Sequence, residues 1–540
     1  MNSLLVAGIG IFLFLIAYVF YGRYLEKLWE VNPDEKTPAY KKEDGVDYVP
    51  VKHWSILFGH HFGSIAGAGP ILGPVIAAVC WGWCPTFLWI VFGSILLGGV
   101  HDFSSLMVSI RNEGKSIGDI SSSVISKRGK IFFSIFLWFT LILVVAVFAA
   151  VTATTFIEEP KIVIPTFSLL IIAIFFGVAV YKFNLPQIHA TLISLILYVL
   201  LFFLGSRYPV VISPAYATKA WIVILLLYSL IASVLPVNLL LQPRDYLSSF
   251  LLFFGLLFGY LGLVITHPQI HTPNFVSYSS SNGPLWPMMF VIIACGAISG
   301  FHSLVSSGTT SKQINNEKYA KNIGYGAMLV EGVLSILALI CVTAGLYWNE
   351  PNSLLNYPSL MKGGNWIGTF ALGYGQVTSP IFGSKFGTML AIVIINSFVL
   401  TTLDTATRIT RYISEELFGD TFKINIFKNR YFATIFIIII AGYLAFGSWQ
   451  KIWPVFGASN QLVAAVVLLI CALYLSERGK NSKVLFYPSI FMFLTTIVAL
   501  IIQAKDFYLN KKLLLGNIAS IIVLLALFFI VESIREKRNH

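Results

Sequence analysis

The stretch HHFGSIAGAGPILGP, residues 60–74, decides the fold. Four glycines and two prolines fall within it, although the surrounding segment is apolar and long enough to cross a membrane. Glycine costs about 1 kcal/mol and proline about 3 kcal/mol in a helix interior, so a regular helix is disfavoured here. Inside a membrane, backbone groups freed from helical hydrogen bonds are tolerated where they line a cavity or are buried in protein. The stretch therefore predicts an interrupted membrane helix in which residues 63–70 form one wall of a binding site.

The same spacing allows a second interpretation. Small residues let two membrane helices approach each other closely. On this interpretation Gly63, Gly67, Gly69 and Gly73 serve helix packing rather than binding. The sequence leaves both interpretations open.

The rest of the chain has the composition of a membrane protein with many spans. Hydrophobic residues make up 57% of it and charged residues 11%, whereas a soluble domain carries about 25% charged residues. Apolar runs of about twenty residues, each long enough to span the membrane, predict fifteen spans from 4–22 to 513–533. The first run lacks a basic leader and a small-residue cleavage site, so we expect a retained span.

The charge distribution predicts an orientation. The net charge is +12, but no basic globular domain is present that would indicate nucleic-acid binding. With the N-terminus outside, the loops on the inner side hold 27 of the 36 Lys and Arg residues. Because positive charge concentrates in cytoplasmic loops, we expect the N-terminus outside and the C-terminus in the cytoplasm.

Five cysteines in 540 residues do not form a disulfide framework. Cys80 and Cys84, in CWGWC, lie in an apolar turn without further metal ligands nearby. We expect neither a metal site nor a cofactor.

A second proline-rich interruption is predicted at SVLPVNLLLQPRDY, residues 233–246. Interrupted helices in corresponding positions of two halves are the best sequence indication of a transport site. Five predicted spans precede this interruption, counted from residue 57, and five follow from it. The spacing predicts an all-α membrane protein with an inverted 5+5 repeat, its halves at about 57–206 and 217–412. Residues 1–56 would add one N-terminal span and a linker, and 413–540 four accessory C-terminal spans.

Ionisable residues within membrane spans are rare and indicate function. Asp102 and Glu331 lie in apolar segments, and His60, His61 and Asp245 lie at the two predicted interruptions. Histidine titrates closest to neutral pH, so these five residues are candidate proton carriers. Each could instead simply hydrogen-bond a neighbouring helix.

Two further polar patterns stand out. Asp404 and Arg408 are four residues apart, a spacing that allows an ion pair on one helix face. The span at 287–311 ends in a cluster of hydroxyl groups that could bind a small cation or bond back to their own helix; these are Ser303, Ser306, Ser307, Thr309, Thr310 and Ser311.

Several long stretches together resemble the carbon starvation protein A (CstA) family. They are HHFGSIAGAGPILGPV, LPVNLLLQPRDYLSSF, IACGAISGFHSLVSSGTTSKQI, GYGAMLVEG, LTTLDTATRITRYI and WPVFGASNQL, in order between about residues 50 and 475. The resemblance implies a prokaryotic inner-membrane transporter with a LeuT-type inverted-repeat fold. It also implies uptake of peptides, or proton-coupled uptake of pyruvate as in a sibling branch of the family.

The resemblance also implies where substrate and ion bind. The substrate would lie at the two interruptions and the third core helix, at Ser64, Gly67, Ala68, Gly69, Leu235, Gln242, Ser299 and His302. A sodium-like site would use the main chain at Gly63 and Ala66 with the hydroxyl groups of Ser307 and Thr310. A proton-driven member would place a titratable group there instead.

We therefore expect a secondary active importer of carboxylate-bearing nutrients driven by H⁺ or Na⁺, and not an enzyme. Its partners would be a peptide or pyruvate and the lipid bilayer; the oligomeric state stays open. A metalloenzyme using His60, His61, His101 and His302 is a rival, but no HExxH pattern supports it. A nutrient sensor would need a larger cytoplasmic output domain than any predicted loop provides.

Overall fold

The computed structural model describes residues 1–124, 126–362, 364–447 and 449–539, and these are almost entirely helical. A short hairpin pairs β1 (Ser279–Ser280) with β2 (Gly283–Pro284). The predicted all-α membrane architecture is confirmed.

The first half of the chain consists of apolar helices joined by short connections. They are α1 (Ser3–Leu28), α2 (Trp54–Ile65), α3 (Gly69–Trp81), α4 (Trp83–Arg111), the short α5 (Ile117–Val124), α6 (Arg128–Glu158), α7 (Pro160–Lys182), α8 (Gln187–Arg207), α9 (Ala217–Val234) and α10 (Leu241–Thr266).

The second half of the chain also consists mainly of apolar helices. Its helices are α11 (285–292), α12 (Gly300–Gly308), α13 (Glu317–Ala344), α14 (Trp366–Val377), α15 (Ser384–Thr421), α16 (Arg430–Ala445), α17 (Trp449–Glu477), α18 (Lys483–Leu509) and α19 (Leu513–Asn539). Shorter helical turns lie at Pro38–Lys41, Tyr357–Lys362 and Ser379–Phe382.

Many of these helices have membrane-spanning length. Within the described residues, twelve are long and apolar enough to cross a membrane, and the bent pair α2–α3 is a further candidate. The predicted segment 431–447 coincides with the shorter apolar helix α16, and 287–311 coincides with the interrupted pair α11–α12.

The first interruption lies where the glycine-rich stretch predicts it. Helix α2 ends at Ile65 and α3 begins at Gly69, with an angle of 41° between the two. Ala66 leaves helical geometry at ψ 60°. The chain thus crosses this level of the membrane without a continuous helical ladder.

The structure contains a further interruption that the sequence did not predict. The predicted break at residues 235–242 is present between α9 and α10, but both helices are individually long enough to span. The segment α11–α12, interrupted at residues 293–299, packs against α2–α3, and so does α10. This break contains CGAISG and no proline, so the proline pattern of the sequence does not predict it.

Glycines bring the two interruptions into contact. A Cβ atom on Gly69 would lie 2.5 Å from Sγ of Cys295, and one on Gly73 would lie 2.9 Å from the carbonyl oxygen of Ile292. A Cβ on Gly296 would lie 2.3 Å from Oγ of Ser335. The close-packing interpretation therefore accounts for Gly69 and Gly73.

Four helices form a scaffold beside the interrupted pairs. Each of α6, α9, α15 and α16 packs against the other three. Helix α15 also packs against α2, so the scaffold reaches the first interruption.

Helix α17 is built into the core, although the sequence predicts residues 413–540 to be accessory. It packs against α4, α6 and α12, and nearly every residue between Ile452 and Leu475 is buried. A Cβ on Gly300 would lie 2.2 Å from the carbonyl oxygen of Asn460, so α17 touches the second interruption.

We predict that Gly73→Ala destabilises the protein by about 1–3 kcal/mol, the usual cost of overpacking. The added Cβ meets backbone atoms of Ile292 and Ile293, which no side-chain rotation can move. Gly8→Ala is the matched control, because nothing lies within 4 Å of its Cβ position. Thermal unfolding in detergent measures both variants; equal melting temperatures would contradict close packing at Gly73.

Candidate functional site

The carbonyl groups freed at the first interruption are satisfied by hydroxyl groups of α15. The hydroxyl of Thr401 lies 2.6 Å from the carbonyl oxygen of Gly63, and that of Thr402 lies 3.2 Å from the carbonyl oxygen of Ser64. Each hydroxyl also lies within hydrogen-bond distance of the carbonyl oxygen of Phe398 on its own helix, at 2.7 and 3.0 Å. A Cβ on Gly67 would lie 2.8 Å from Phe148 and 2.9 Å from Oγ1 of Thr402. The chain at Gly67 is therefore enclosed by α6 and α15.

These hydroxyl groups are not those of the predicted sodium-like site. Ser307 donates to the carbonyl oxygen of Ser303 at 2.8 Å and accepts from the backbone of Ile117, while Thr310 pairs with His61 at 2.8 Å. The hydroxyl groups that face Gly63 and Ser64 come from α15, in the motif LTTLDTAT. The predicted hydroxyl groups belong instead to the span at 287–311 and the residues that follow α12.

A carboxylate of α10 holds the end of α2. Oδ2 of Asp245 lies 2.6 Å from Nδ1 of His60 and accepts from Ser64 at 3.1 Å. Ser64 also lies 3.2 Å from the hydroxyl of Thr405. Three predicted residues, His60, Ser64 and Asp245, thus meet although α2 and α10 are distant in sequence.

A buried arginine extends this network to the scaffold. Arg244 donates to Oδ1 of Asp245, to the hydroxyl of Tyr228 at 2.8 Å and to Oδ2 of Asp404. Both carboxylates are fully buried, and Arg244 is 1% exposed. The predicted pair Asp404–Arg408 is wrong, because Asp404 binds Arg244 on another helix.

The network continues through amide side chains. Nε2 of Gln313 lies 3.4 Å from Nε2 of His60. Oε1 of Gln313 accepts a hydrogen bond from Nε2 of Gln242 at 2.7 Å. Gln242 in turn accepts from the hydroxyl of Tyr181 at 2.7 Å. The predicted residue Gln242 therefore belongs to this network.

At the second interruption, an amide of α17 caps helix α12. Oδ1 of Asn460 accepts from the backbone of Phe301 at 2.8 Å, and its Nδ2 donates to Ser299 at 2.9 Å. An N-cap side chain satisfies one of the helix donors that lack a partner. Ser299, predicted to bind substrate, is held by this cap.

Beside this interruption, two acids and two histidines form a closed group, here called the acid–histidine cluster. Asp102 lies 2.7 Å from Nδ1 of His101 and 2.8 Å from Nδ1 of His302, and His302 Nε2 lies 3.5 Å from Glu331. All four are fully buried. The structure thus brings together Asp102, Glu331 and His302, which the sequence analysis selected separately.

This cluster contains polar atoms without hydrogen bonds. Both carboxylate oxygens of Glu331, Nε2 of His302 and Nε2 of His101 lack a partner by hydrogen-bond geometry. A buried carboxylate without a partner carries a large desolvation cost unless it is neutral. The arrangement therefore suits groups that bind and release protons.

The remaining predicted residues lie near these groups. His61 binds Thr310. The carbonyl oxygen of Leu235 accepts from Arg408. Ala66 ends α2 and Ala68 precedes α3. Among the described residues, no group of three or more His, Cys, Asp or Glu side chains is arranged to hold a metal ion.

The linker between α1 and α2 forms hydrogen bonds with the neighbouring helices. Asp47 accepts from Arg408 at 2.8 Å and from the hydroxyl of Tyr412, and Arg411 lies 3.8 Å away. The backbone of Val237 donates to the carbonyl oxygen of Val46 at 3.1 Å. The linker is therefore fastened both to α15 and to the connection between α9 and α10.

The charge environment of Asp47 stabilises its ionised form. Burial alone would raise the pKa of this carboxyl, but the guanidinium groups of Arg408 and Arg411 outweigh it, so the pKa lies below its usual range. A carboxyl with a depressed pKa stabilises the folded state at neutral pH and loses that contribution as pH falls. The linker contact therefore weakens in acid.

A solved structure shows the fold. The chain shares its fold with a manganese transporter of Eremococcus coleocola, with a TM-score of 0.54 at 13% identity, covering 92% of this chain and 99% of that one. Interrupted membrane helices that meet around buried charged groups are typical of secondary transporters.

The family follows from sequence. The family model described as carbon starvation protein CstA matches residues 2–499, and the chain belongs to that family. It is 32% identical to the Peptide transporter CstA of Campylobacter jejuni, over 92% of this chain and 79% of the relative. It is 31% identical to the Pyruvate/proton symporter BtsT of Escherichia coli, over 92% and 81%.

Five residues of the site are not among those predicted from the sequence: Arg244, Asp404, Thr401, Thr402 and Asn460. LTTLDTAT and the Asn460–Gln461 pair were visible as polar groups in apolar spans. Only the fold shows that they face the interruptions.

We predict that acidification below the ordinary carboxyl pKa of about 4 lowers the protection of residues 44–50 against hydrogen–deuterium exchange, relative to the intrinsic exchange rate at the same pH. Asp47→Asn should show the lowered protection already at neutral pH and reduce its dependence on pH. Glu43→Gln changes an exposed acid of the same linker and is the matched control. Wild-type exchange in Asp47→Asn would show that the Arg408 contact does not hold the linker.

Proposed function

We propose that this protein imports small carboxylate-bearing nutrients, most readily short peptides, driven by an inward proton gradient. The observation that carries the proposal is the acid–histidine cluster, in which Asp102 and Glu331 are fully buried without a lysine or arginine partner among the described contacts. Two uncompensated carboxylates in a low-dielectric interior favour proton uptake, on the acids themselves or on His101 and His302.

The position of the acid–histidine cluster is suited to coupling proton binding to the movement of helices. It joins α4, α12 and α13, and α12 starts directly after the second interruption. Binding or loss of a proton changes the attraction between these three helices. Alternating access by movement of helices about a fixed site would convert that change into transport.

A sodium-driven mechanism is the alternative for the coupling ion. Thr401 and Thr402 already donate to the carbonyl oxygens of Gly63 and Ser64. Sodium would have to displace these hydroxyl protons from the carbonyl oxygens, whereas the acid–histidine cluster offers carboxylate and imidazole atoms that have no hydrogen-bond partner. We therefore propose H⁺ as the driving ion.

The substrate class follows from relatives and from chemistry. The Campylobacter jejuni relative is named a peptide transporter and the Escherichia coli relative a pyruvate/proton symporter. Peptides and pyruvate share a carboxylate group. Pyruvate is therefore the second candidate substrate.

We also propose a revised repeat. The first half comprises residues 54–266, with α7 and α8 inserted, and the second half comprises 285–477. In this scheme the interrupted pair α2–α3 corresponds to the interrupted pair α11–α12. The other corresponding helices are α6 and α15, α9 and α16, and α10 and α17. The mutual packing of α6, α9, α15 and α16 supports the scheme. The predicted location is the prokaryotic inner membrane, with the N-terminus outside and the C-terminus in the cytoplasm.

The proposal is tested with purified protein in proteoliposomes. Labelled alanyl-alanine and labelled pyruvate are offered separately, with an imposed inward proton gradient and no sodium. We expect alanyl-alanine to accumulate and a protonophore to abolish the accumulation. Pyruvate accumulation alone would select the alternative substrate, and uptake that requires sodium would contradict proton coupling.

Glu331→Gln should abolish gradient-driven accumulation while substrate exchange between the two sides of the vesicle persists. The substitution removes a titratable group but keeps the shape of the side chain. Glu350→Gln, in a loop, is the matched control and should behave as wild type. Full accumulation by Glu331→Gln would exclude Glu331 as a coupling group.

A further inference from the structure

A small cavity beside Arg244 is separate from the acid–histidine cluster. Its volume of about 10 Å³ has room for about one water molecule. Arg244 and Ser248 from α10, Ser397 from α15 and Tyr198 from α8 line it. All four side chains are more than nine-tenths buried.

The lining of this cavity is rich in hydrogen-bond donors. The hydroxyl groups of Ser248 and Ser397 have no hydrogen-bond partner. Arg244 has five N–H bonds, and its contacts with Asp245, Asp404 and Tyr228 use four of them. A guanidinium group with unused hydroxyl donors beside it matches the geometry of a carboxylate.

We propose that Arg244, Ser248 and Ser397 form the binding site for a carboxylate group, and that Asp404 competes with that carboxylate for Arg244. This inference rests on the proposed function and names the group that recognises its substrate. It places recognition on a side chain of α10 and not on the backbone of the interrupted helices.

The charges explain how a proton would admit the carboxylate. Arg244, Asp245 and Asp404 together carry one net negative charge when both acids are ionised. A proton on Oδ1 of Asp404, which has no hydrogen-bond partner, makes the group neutral and weakens its hold on Arg244. An entering carboxylate then restores the original net charge. Proton and carboxylate therefore enter together without adding net charge to a low-dielectric site.

Other titratable groups face this site from the neighbouring helices. Tyr228 from α9 binds Arg244 and Asp404, and His60 from α2 binds Asp245. Tyr198 from α8 lines the cavity. Because the imidazole of His60 is also ionisable, the test must separate it from Asp404.

The cavity adjoins a larger apolar groove. Tyr198 and Val393 line both, and the groove, of about 510 Å³, lies between α8, α10 and α15. A carboxylate could therefore come from a dissolved nutrient or from a fatty acid in the membrane. Octanoate serves as the probe for the second source.

The test measures KM for pyruvate and alanyl-alanine uptake in proteoliposomes at two pH values. Ser397→Ala and Ser248→Ala should each raise KM about tenfold, as expected for loss of a hydrogen bond to a charged group. Arg244→Lys keeps the charge but loses the forked donor geometry, and should raise KM by about tenfold or more. Ser229→Ala is the matched control, because this buried hydroxyl donates to its own helix at Leu226.

Asp404→Asn mimics the protonated acid. Substrate binding by this variant, measured by equilibrium dialysis of the solubilised protein, should lose its pH dependence, while His60→Gln should retain it. Pyruvate and alanyl-alanine should bind, and alanyl-alanine amide, which lacks the carboxylate, should not.

The outcomes separate the two proposals. If wild-type protein transports neither substrate, the proposed function fails and this inference fails with it. If wild-type protein transports normally and the folded Ser248→Ala/Ser397→Ala double variant has an unchanged KM, this inference alone is overturned. Competitive inhibition by octanoate that Arg244→Lys abolishes would assign the site to a membrane carboxylate; no inhibition would assign it to the dissolved nutrient.

Discussion

The structure depends on one constraint: a polar backbone group freed inside a membrane must find a partner. At the first interruption the carbonyl groups of Gly63 and Ser64 accept from threonine hydroxyl groups of α15. At the second, the backbone N–H of Phe301 is taken by Asn460 of α17. Each interruption is therefore completed by another helix. The bonds that stabilise the breaks also connect the interrupted helices to their surroundings.

The buried charged residues also form bonds between different helices. Asp245 binds α2 through His60 and Ser64, and Arg244 joins Asp245 to Asp404 in the scaffold. The acid–histidine cluster joins α4, α12 and α13 instead. One network therefore crosses from interrupted helix to scaffold, and the other binds helices around the second interruption. A change of protonation in either alters contacts between helices and not within one helix.

The sequence predicted the helical membrane class and the first interruption, because glycine and proline act locally on a helix. It also selected Asp102, Glu331, His60 and Asp245, since an acid or a histidine in an apolar segment is visible without the fold. It could not predict that residues 293–299 form the facing interruption, because this segment contains no proline and its close contact with Gly69 is visible only in the fold. Nor could it show that Asp404 binds Arg244, 160 residues away, in preference to its near neighbour Arg408.

Helix α16 has a physical consequence for the surrounding lipid. Its 16 residues extend about 24 Å at 1.5 Å per residue, whereas the hydrocarbon core is about 30 Å thick. Its packing partner α9 has 18 residues. A short hydrophobic segment is accommodated by thinning of the adjacent bilayer. The α9–α16 face therefore matches a bilayer thinner than average, and acyl-chain length becomes a variable that acts on the scaffold side of the transporter.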